Sequence, residues 1–261
     1  LCRIDRSNIA GDGTMAYESR IAGSLVKPRW YGSGVLWPTG EVMVFSGADR
    51  DEVLLPGTGA AILDTEIFDP KTETWRVMAR QHNPRTYHNT AMLLPDGRVL
   101  VGGHSPINTG YLFSLDLSAL GLSPNQGRDP SFEIYSPPYM YAANRPRITS
   151  APNSASHGAT ISVNTEGSNI KEVLLVKRTT LTHIIDGDQR TVVLPHTGTN
   201  NLQVRLPSQK GALPPGAYML FVVSEDASGK RVPSVSVPFT VEGADNRAIG
   251  CNTATPRVAK R

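Results

Sequence analysis

The residues best suited to chemistry are a tyrosine and a histidine side by side, Tyr87-His88, within PRTYHNTAMLLPDGRVLVGGH from Pro84 to His104. A phenol and an imidazole at the lip of a hairpin are candidate ligands for a transition metal. Imidazole suits copper, zinc, iron and nickel alike, so the pair alone does not choose the metal. Of the other histidines, His82, His104, His157 and His196 read as surface or loop residues. His183 differs. It ends the run Arg178-Thr179-Thr180-Leu181-Thr182-His183, which follows an apolar strand and continues to Asp188-Gln189-Arg190. A long loop at the tip of a β-domain can reach into a neighbour, and function concentrates on such loops.

The elements that must position these residues are hairpins. Ala91 to Leu94 and Val99 to Val101 are apolar and branched, and Pro95-Asp96-Gly97 separates them, the pattern of a β-hairpin ending in Gly102-Gly103. The stretch PRWYGSGVLWPTGEVMVFSGA, from Pro28, repeats it. Counted from Pro28-Arg29 to Pro84-Arg85 the spacing is 56 residues, and from Gly40 to Gly97 it is 57, so one residue is gained between. The turn frame sets Trp30-Tyr31 over Tyr87-His88, and the arginine frame sets Tyr31 over Tyr87 and Gly32 over His88. In neither does the first copy keep a Tyr-His pair.

Between the hairpins, Thr65-Glu66-Ile67-Phe68-Asp69-Pro70 and Thr72-Glu73-Thr74-Trp75 supply two further strands. Together with the Gly-Gly step and the downstream Trp they give the pattern of a kelch-type propeller blade. Ser131-Phe132-Glu133-Ile134-Tyr135-Ser136-Pro137-Pro138 matches the third strand of that blade and would close a second one. Residues 1–27 are polar and give no clean strand pattern. Residues 1–143 thus supply about two blades where a propeller needs 4 to 8, leaving unpaired strand edges prone to self-association. The chain starts at Leu1-Cys2-Arg3 with neither Met nor a signal-like apolar core, and it reads as a piece whose missing N-terminal blades lie upstream.

The character changes at Asn144-Arg145-Pro146-Arg147. Seven short strands are expected in residues 144–242: Ile148-Thr149, then 159–163, 172–177, 191–194, 202–206, 217–223 and 234–241. This many alternating strands in about 100 residues indicates an immunoglobulin-like sandwich without its disulfide. Residues 243–261 read as a flexible tail. The fold class is all-β throughout, in keeping with 24 Gly and 20 Pro and no long helical periodicity. The formal charge of +3 is mild and its basic residues are scattered, which gives no support to nucleic-acid binding. No segment approaches the ~18 apolar residues of a membrane span. Cys2 and Cys251 make no disulfide framework; a bond between them, two free thiols, or pairing outside this sequence all remain open.

Three motifs carry a family resemblance. Arg85-Thr86-Tyr87-His88-Asn89 with Leu94-Pro95-Asp96-Gly97-Arg98-Val99-Leu100-Val101-Gly102-Gly103 resembles the copper-ligand motif of the copper radical oxidases, galactose oxidase and glyoxal oxidase. Thr182-His183 with Asp188-Gln189-Arg190 resembles their second ligand loop. The run from Leu213-Pro214-Pro215-Gly216 to Val222, followed by Val232-Pro233-Ser234, resembles their penultimate strand and turn. The match covers about residues 28–242.

The resemblance implies a seven-bladed propeller followed by an immunoglobulin-like domain that sends one loop through the propeller axis to the metal. It implies a single copper ion, with Tyr87 as axial phenolate and proton acceptor and His88 and His183 as nitrogen ligands. The substrate would be a small alcohol, aldehyde or carbohydrate, with O₂ as acceptor and H₂O₂ as product, in a secreted or cell-surface protein. The family's second redox centre, a Cys–Tyr cross-linked radical, belongs to early blades. Cys2 does not match it and Tyr31 has no claim to it, so this chain alone is expected to be inactive. The loops around Trp37, Arg50 and Asn108 carry no assigned substrate role.

Two rivals share the scaffold. One is a non-catalytic propeller and sandwich that binds carbohydrate or a protein partner, since fold alone does not fix function. The other is a hydrolytic zinc site using the two histidines and Asp186 or Asp188, for which a tyrosine ligand would be unusual.

Overall fold

A computed structural model of the chain describes residues 2–9, 15–51, 60–103, 130–167, 169–183 and 185–243, with side chains from residue 21 onward. The described structure is all-β apart from a short 3-10 helix, Pro138–Tyr141. It opens with an antiparallel ribbon of β1 (Cys2–Ile9) and β2 (Met15–Ile21), bulged between Arg6 and Asn8. Residues 1–27 thus hold two strands although their sequence gives no clean strand pattern. A two-stranded ribbon satisfies its backbone across the ladder without the apolar alternation that periodicity detects.

A four-stranded antiparallel sheet follows in the order β3 (Ser33–Leu36), β4 (Val42–Phe45), β5 (Asp64–Asp69), β6 (Thr74–Arg80). A three-stranded sheet then repeats its inner part: β7 (Thr90–Leu93), β8 (Val99–Gly102), β9 (Phe132–Tyr135). Both tight turns are built alike. Gly40 donates its N–H to the Trp37 carbonyl and Gly97 to that of Leu94, each at 2.9 Å. The two glycines stand at φ +89° and +92°. Proline at the second turn position and glycine at the fourth are what such a turn favours.

The repeat extends to a buried clasp. In the first sheet Glu66, fully buried on β5, accepts from the backbone N–H of Val26 and Lys27 and pairs with Arg29, whose side chain is 1% exposed. In the second, Glu133 on β9 accepts from His82 N at 2.8 Å and Asn83 N at 3.0 Å, and faces Arg85 at 3.6 Å. Each arginine also donates to the carbonyl that ends the neighbouring strand, Arg29 to Ser46 at 3.0 Å and Arg85 to Gly103 at 3.2 Å. A buried guanidinium is tolerable only when paired and hydrogen-bonded, so each clasp pins the chain entering a hairpin to that hairpin's third strand.

The C-terminal unit has two facing sheets. One has the order β10 (Arg147–Ser150), β12 (Thr160–Glu166), β18 (Asn201–Arg205), β17 (His196–Thr197). The other has the order β11 (Ser154–Ser156), β21 (Val237–Glu242), β19 (Gly216–Glu225), β13 (Ile170–Lys177), β16 (Thr191–Leu194), with β20 (Arg231–Pro233) also on β19. A two-rung ribbon, β14 (Leu181–Thr182) and β15 (Ile185–Asp186), stands apart from both. The seven expected strands are present with shifted ends. The short β11, β14, β15, β17 and β20 were not expected, because two or three residues carry too little pattern.

The central strands β13 and β19 are buried on both faces. Val173, Leu175, Leu220 and Val222 face the partner sheet and pack with Val163, Leu202 and Val204. Leu174, Val176, Met219, Phe221 and Val223 face the other way, into one cluster with Trp37, Met43, Phe45, Ile67, Leu93, Val99 and Tyr139. A strand covered on both sides reads as a continuous apolar run, which is why VLLV and YMLFVV show no alternation. Polar ties reinforce this junction. Arg145 donates to the carbonyls of Asp96 (2.9 Å), Pro233 (2.9 Å) and Ser234 (3.0 Å), and Ser236 donates both N–H and O–H to the Pro95 carbonyl. Burial holds the Arg145 guanidinium below its ordinary range, so these carbonyls carry the cation in place of water.

Candidate metal centre

Tyr87 and His88 stand at the entry to β7, at the end of the hairpin away from the tight turn. His88 is in the left-handed region, at φ +52°. The end of β8 closes over this bend, where the next residue, Gly103, at φ +70°, passes so near that a Cβ would lie 2.6 Å from the His88 carbonyl. Only glycine fits there. Inside the bend, Asn89 is 2% exposed. Its amide N–H groups reach the carbonyls of Thr86 and Tyr31, the latter at 2.8 Å, and its side-chain oxygen accepts from the Ser33 hydroxyl at 2.6 Å. Asn89 thereby ties the lips of the two hairpins together and leaves the Tyr87 and His88 side chains directed outward, half-buried and exposed.

The repeat now explains its two frames. Tyr31, at φ +59°, is the backbone counterpart of His88, so the turn frame holds at the lip. The arginine frame holds at the clasp. The extra residue lies between them, where Arg85-Thr86-Tyr87-His88 replaces Arg29-Trp30-Tyr31.

The loop from Arg178 to Arg190 reaches the same lip from the C-terminal unit. Its carboxylates are spent on the loop itself. Asp186 Oδ1 accepts from Thr180 N at 3.0 Å and Asp188 N at 3.1 Å, and Asp188 Oδ2 accepts from the Thr180 hydroxyl at 2.9 Å. Gln189 Nε2 donates to the Gly34 carbonyl on β3 at 2.8 Å, which docks the loop against the first hairpin. At its tip His183 takes φ +47°, with Nδ1 2.8 Å from the Thr182 hydroxyl. In the tautomer where Nδ1–H donates to that hydroxyl, Nε2 would present its lone pair outward.

The outcome is a convergence of three rings. Tyr87 and His88 have centroids 4.1 Å apart, and His88 and His183 5.4 Å apart. Two imidazoles bound to one ion at about 2 Å through nitrogen have centroids roughly 4–6 Å apart, so the spacing fits a shared metal. Among the described residues no group of three or more His, Cys, Asp or Glu could hold one. Asp186 and Asp188 do not form with the two histidines a group that could hold a metal, which the zinc alternative would require.

The remaining histidines lie elsewhere. His82 is exposed, with its backbone in the Glu133 clasp, and His157 Nε2 lies 2.7 Å from the Leu213 carbonyl. His196 is in β17, while His104, Asn108 and Cys251 fall outside the described residues. Trp37, whose loop carries no assigned substrate role, is buried at the other end of β3, about 20 Å along the strand from Tyr31.

Two family models match the chain in tandem. Residues 18–139 match the glyoxal oxidase N-terminus and residues 145–241 the galactose oxidase-like early set domain. The chain belongs to the copper radical oxidase family of galactose oxidase and glyoxal oxidase. Among this family's members, a galactose oxidase of Gibberella zeae is 29% identical over 221 residues, which is 82% of this chain and 29% of that protein. An aldehyde oxidase of Arabidopsis thaliana is 32% identical over 212 residues, 72% of this chain and 32% of that one. The chain therefore spans about a third of the length of these oxidases. In fold it is similar to a fungal alcohol oxidase solved in complex with copper, with a TM-score of 0.72 at 24% identity over 88% of this chain and 46% of the other.

Proposed function

We propose that this chain is the C-terminal part of a copper radical oxidase-like protein. Residues 1–143 supply the last blades of a kelch-type propeller, 144–242 an immunoglobulin-like domain, and 243–261 a tail. The intact parent, secreted or at the cell surface, oxidises a primary alcohol or aldehyde. For an alcohol the balance is RCH₂OH + O₂ → RCHO + H₂O₂. The observation that carries this reading is the convergence of Tyr87, His88 and His183, with centroid spacings of 4.1 and 5.4 Å, although His183 lies 95 positions beyond His88.

His88 and His183 would hold one copper ion through imidazole nitrogen, and Tyr87 would complete the protein's share of its shell. Copper, when bound, supplies a one-electron redox centre, and imidazole serves both of its oxidation states. As a ligand to that metal, Tyr87 would serve as the acceptor for the proton of a substrate hydroxyl. The second electron calls for the Cys–Tyr centre that the family keeps in early blades, so this chain alone is inactive. Its length, about a third of the relatives, agrees with that division.

The test joins the chain to its full parent, adds Cu(II), and measures H₂O₂ with a panel of primary alcohols, aldehydes and carbohydrates. Peroxide from at least one class is expected, and none from the whole panel overturns the proposal.

A further inference from the structure

One aromatic contact at the lip lies outside the ligand set. Tyr31 meets Tyr87 edge-on, with centroids 4.9 Å apart and planes at 67°. Its own phenol O–H donates to Asp51 Oδ1, in the segment that follows β4. Its carbonyl accepts from Asn89 Nδ2 at 2.8 Å, and its backbone is held at φ +59°. A bulky residue in the left-handed region is strained and persists only where its surroundings enforce it. Core packing does not account for it, since Tyr31 is half-buried at the lip and absent from both apolar clusters.

A phenol has two softly determined torsions. Tyr87 has His88 on one side of its ring, and the edge of Tyr31 confines it from another direction. The Asp51 anchor fixes Tyr31 in turn. We propose that Tyr31 is a positioning residue for Tyr87, its ring holding the plane of that phenol and the Asp51 carboxylate holding Tyr31. The inference rests on the reading of Tyr87 as a copper ligand and deepens it. Tyr31 occupies the repeat position of His88, so one backbone bend would supply a ligand in one hairpin and the support for its neighbour in the other.

The experiment loads the chain with copper(II) sulfate and reads affinity by tryptophan quenching, the phenolate-to-Cu(II) absorption, and the Cu(II) EPR hyperfine splitting, with thermal melting as the control for folding. Groups that orient a ligand are worth about 10–100-fold in metal affinity. Tyr31→Leu should therefore weaken Cu(II) binding about tenfold and reduce the phenolate band. Tyr31→Phe, which keeps the ring and loses the anchor, should shift the band by less, and Asp51→Asn, which keeps an acceptor, should retain wild-type behaviour. A purely structural role would move the melting temperature and leave the spectra of the folded protein alone.

If Tyr87→Phe abolishes the band while Tyr31→Leu leaves band and affinity at wild-type values, the inference is overturned and the copper reading stands. If Tyr31→Leu does not fold, an unshifted band in Tyr31→Phe overturns it equally. If neither Tyr87→Phe nor His88→Ala changes copper binding, the copper reading itself fails, and the inference falls with it.

Discussion

The two hairpins have the same turn, the same clasp and the same left-handed bend at the lip, yet they present different chemistry. In the first, the bend carries Tyr31, and the clasp is sealed: Arg29 and Glu66 have side chains 1% and 0% exposed. In the second, the bend carries His88 with Tyr87 before it, and the clasp is looser. Arg85 is buried, but Glu133 is 18% exposed and 3.6 Å away. The difference separates two jobs that a repeat performs. Backbone hydrogen bonds and a buried ion pair fix where the lip sits, and one inserted residue with a change of side chain decides what the lip does.

The comparison breaks most easily at the clasps. Glu66→Ala strands a buried guanidinium and two backbone N–H groups, and should cost about 3–5 kcal/mol. Glu133→Ala removes a longer, partly hydrated pair and should cost about 1–2 kcal/mol. Denaturant unfolding of the two variants measures both, and equal losses would refute the distinction between a sealed and a loose clasp.

At the lip, His88→Ala and His183→Ala should each lower Cu(II) affinity about 100-fold, since even outer-shell partners are worth about 10–100-fold. His82→Ala should change nothing. Unchanged binding in the His183 variant would remove the loop from the site and leave the second hairpin with only its local pair.

The turns at the opposite end differ in their tyrosine. Tyr139 is buried and donates its O–H to the Gly97 carbonyl of the second turn, and burial raises its phenol well above the ordinary value of 10.0. Because the folded pKa lies above the unfolded one, this contribution is complete below about pH 10 and is lost as pH rises further. The slope should be about 1.4 kcal/mol per pH unit at most. Stability curves from pH 8 to pH 12 should be flatter for Tyr139→Phe, and parallel curves would dissociate the phenol from the turn.

The smallest effect is expected at the docking bond between the His183 loop and the first hairpin. Gln189→Ala removes one exposed hydrogen bond, worth about 0.5–1.5 kcal/mol. Unfolding should show that loss, and copper titration should show a weakening well short of that in His183→Ala.

Much of this architecture was legible in sequence where a local rule has few solutions. Pro-Asp-Gly and Pro-Thr-Gly between branched runs specify turns, and the repeated Pro-Arg announces a repeat. The Tyr-His pair stood out because its residue types are scarce elsewhere. The frame of the repeat was not legible, because a single insertion at Thr86 satisfies the clasp in one register and the lip in another. The clasps were within reach, since Glu133 falls on Glu66 when the third strands are matched, but pairing across 37 or 48 positions has no period. Asn89 and Gln189 were missed for a similar reason. Each acts on a carbonyl brought near only by folding. The ribbon of residues 2–21 was missed because its ladder asks nothing of side-chain pattern.

The central strands β13 and β19 have a consequence for how this molecule can be handled. The change of character at Asn144 marks a boundary of chain, but water is excluded across it. Severed there, the C-terminal half would show Leu174, Val176, Met219, Phe221 and Val223 to solvent as one oily stripe. At about 2 kcal/mol for each such side chain, the exposure amounts to about 10 kcal/mol, comparable with the whole net stability of an ordinary domain. Neither half is a free-standing reagent. An expression boundary at 143/144 would yield two sticky products, and the smallest piece worth purifying keeps both sides of that wall.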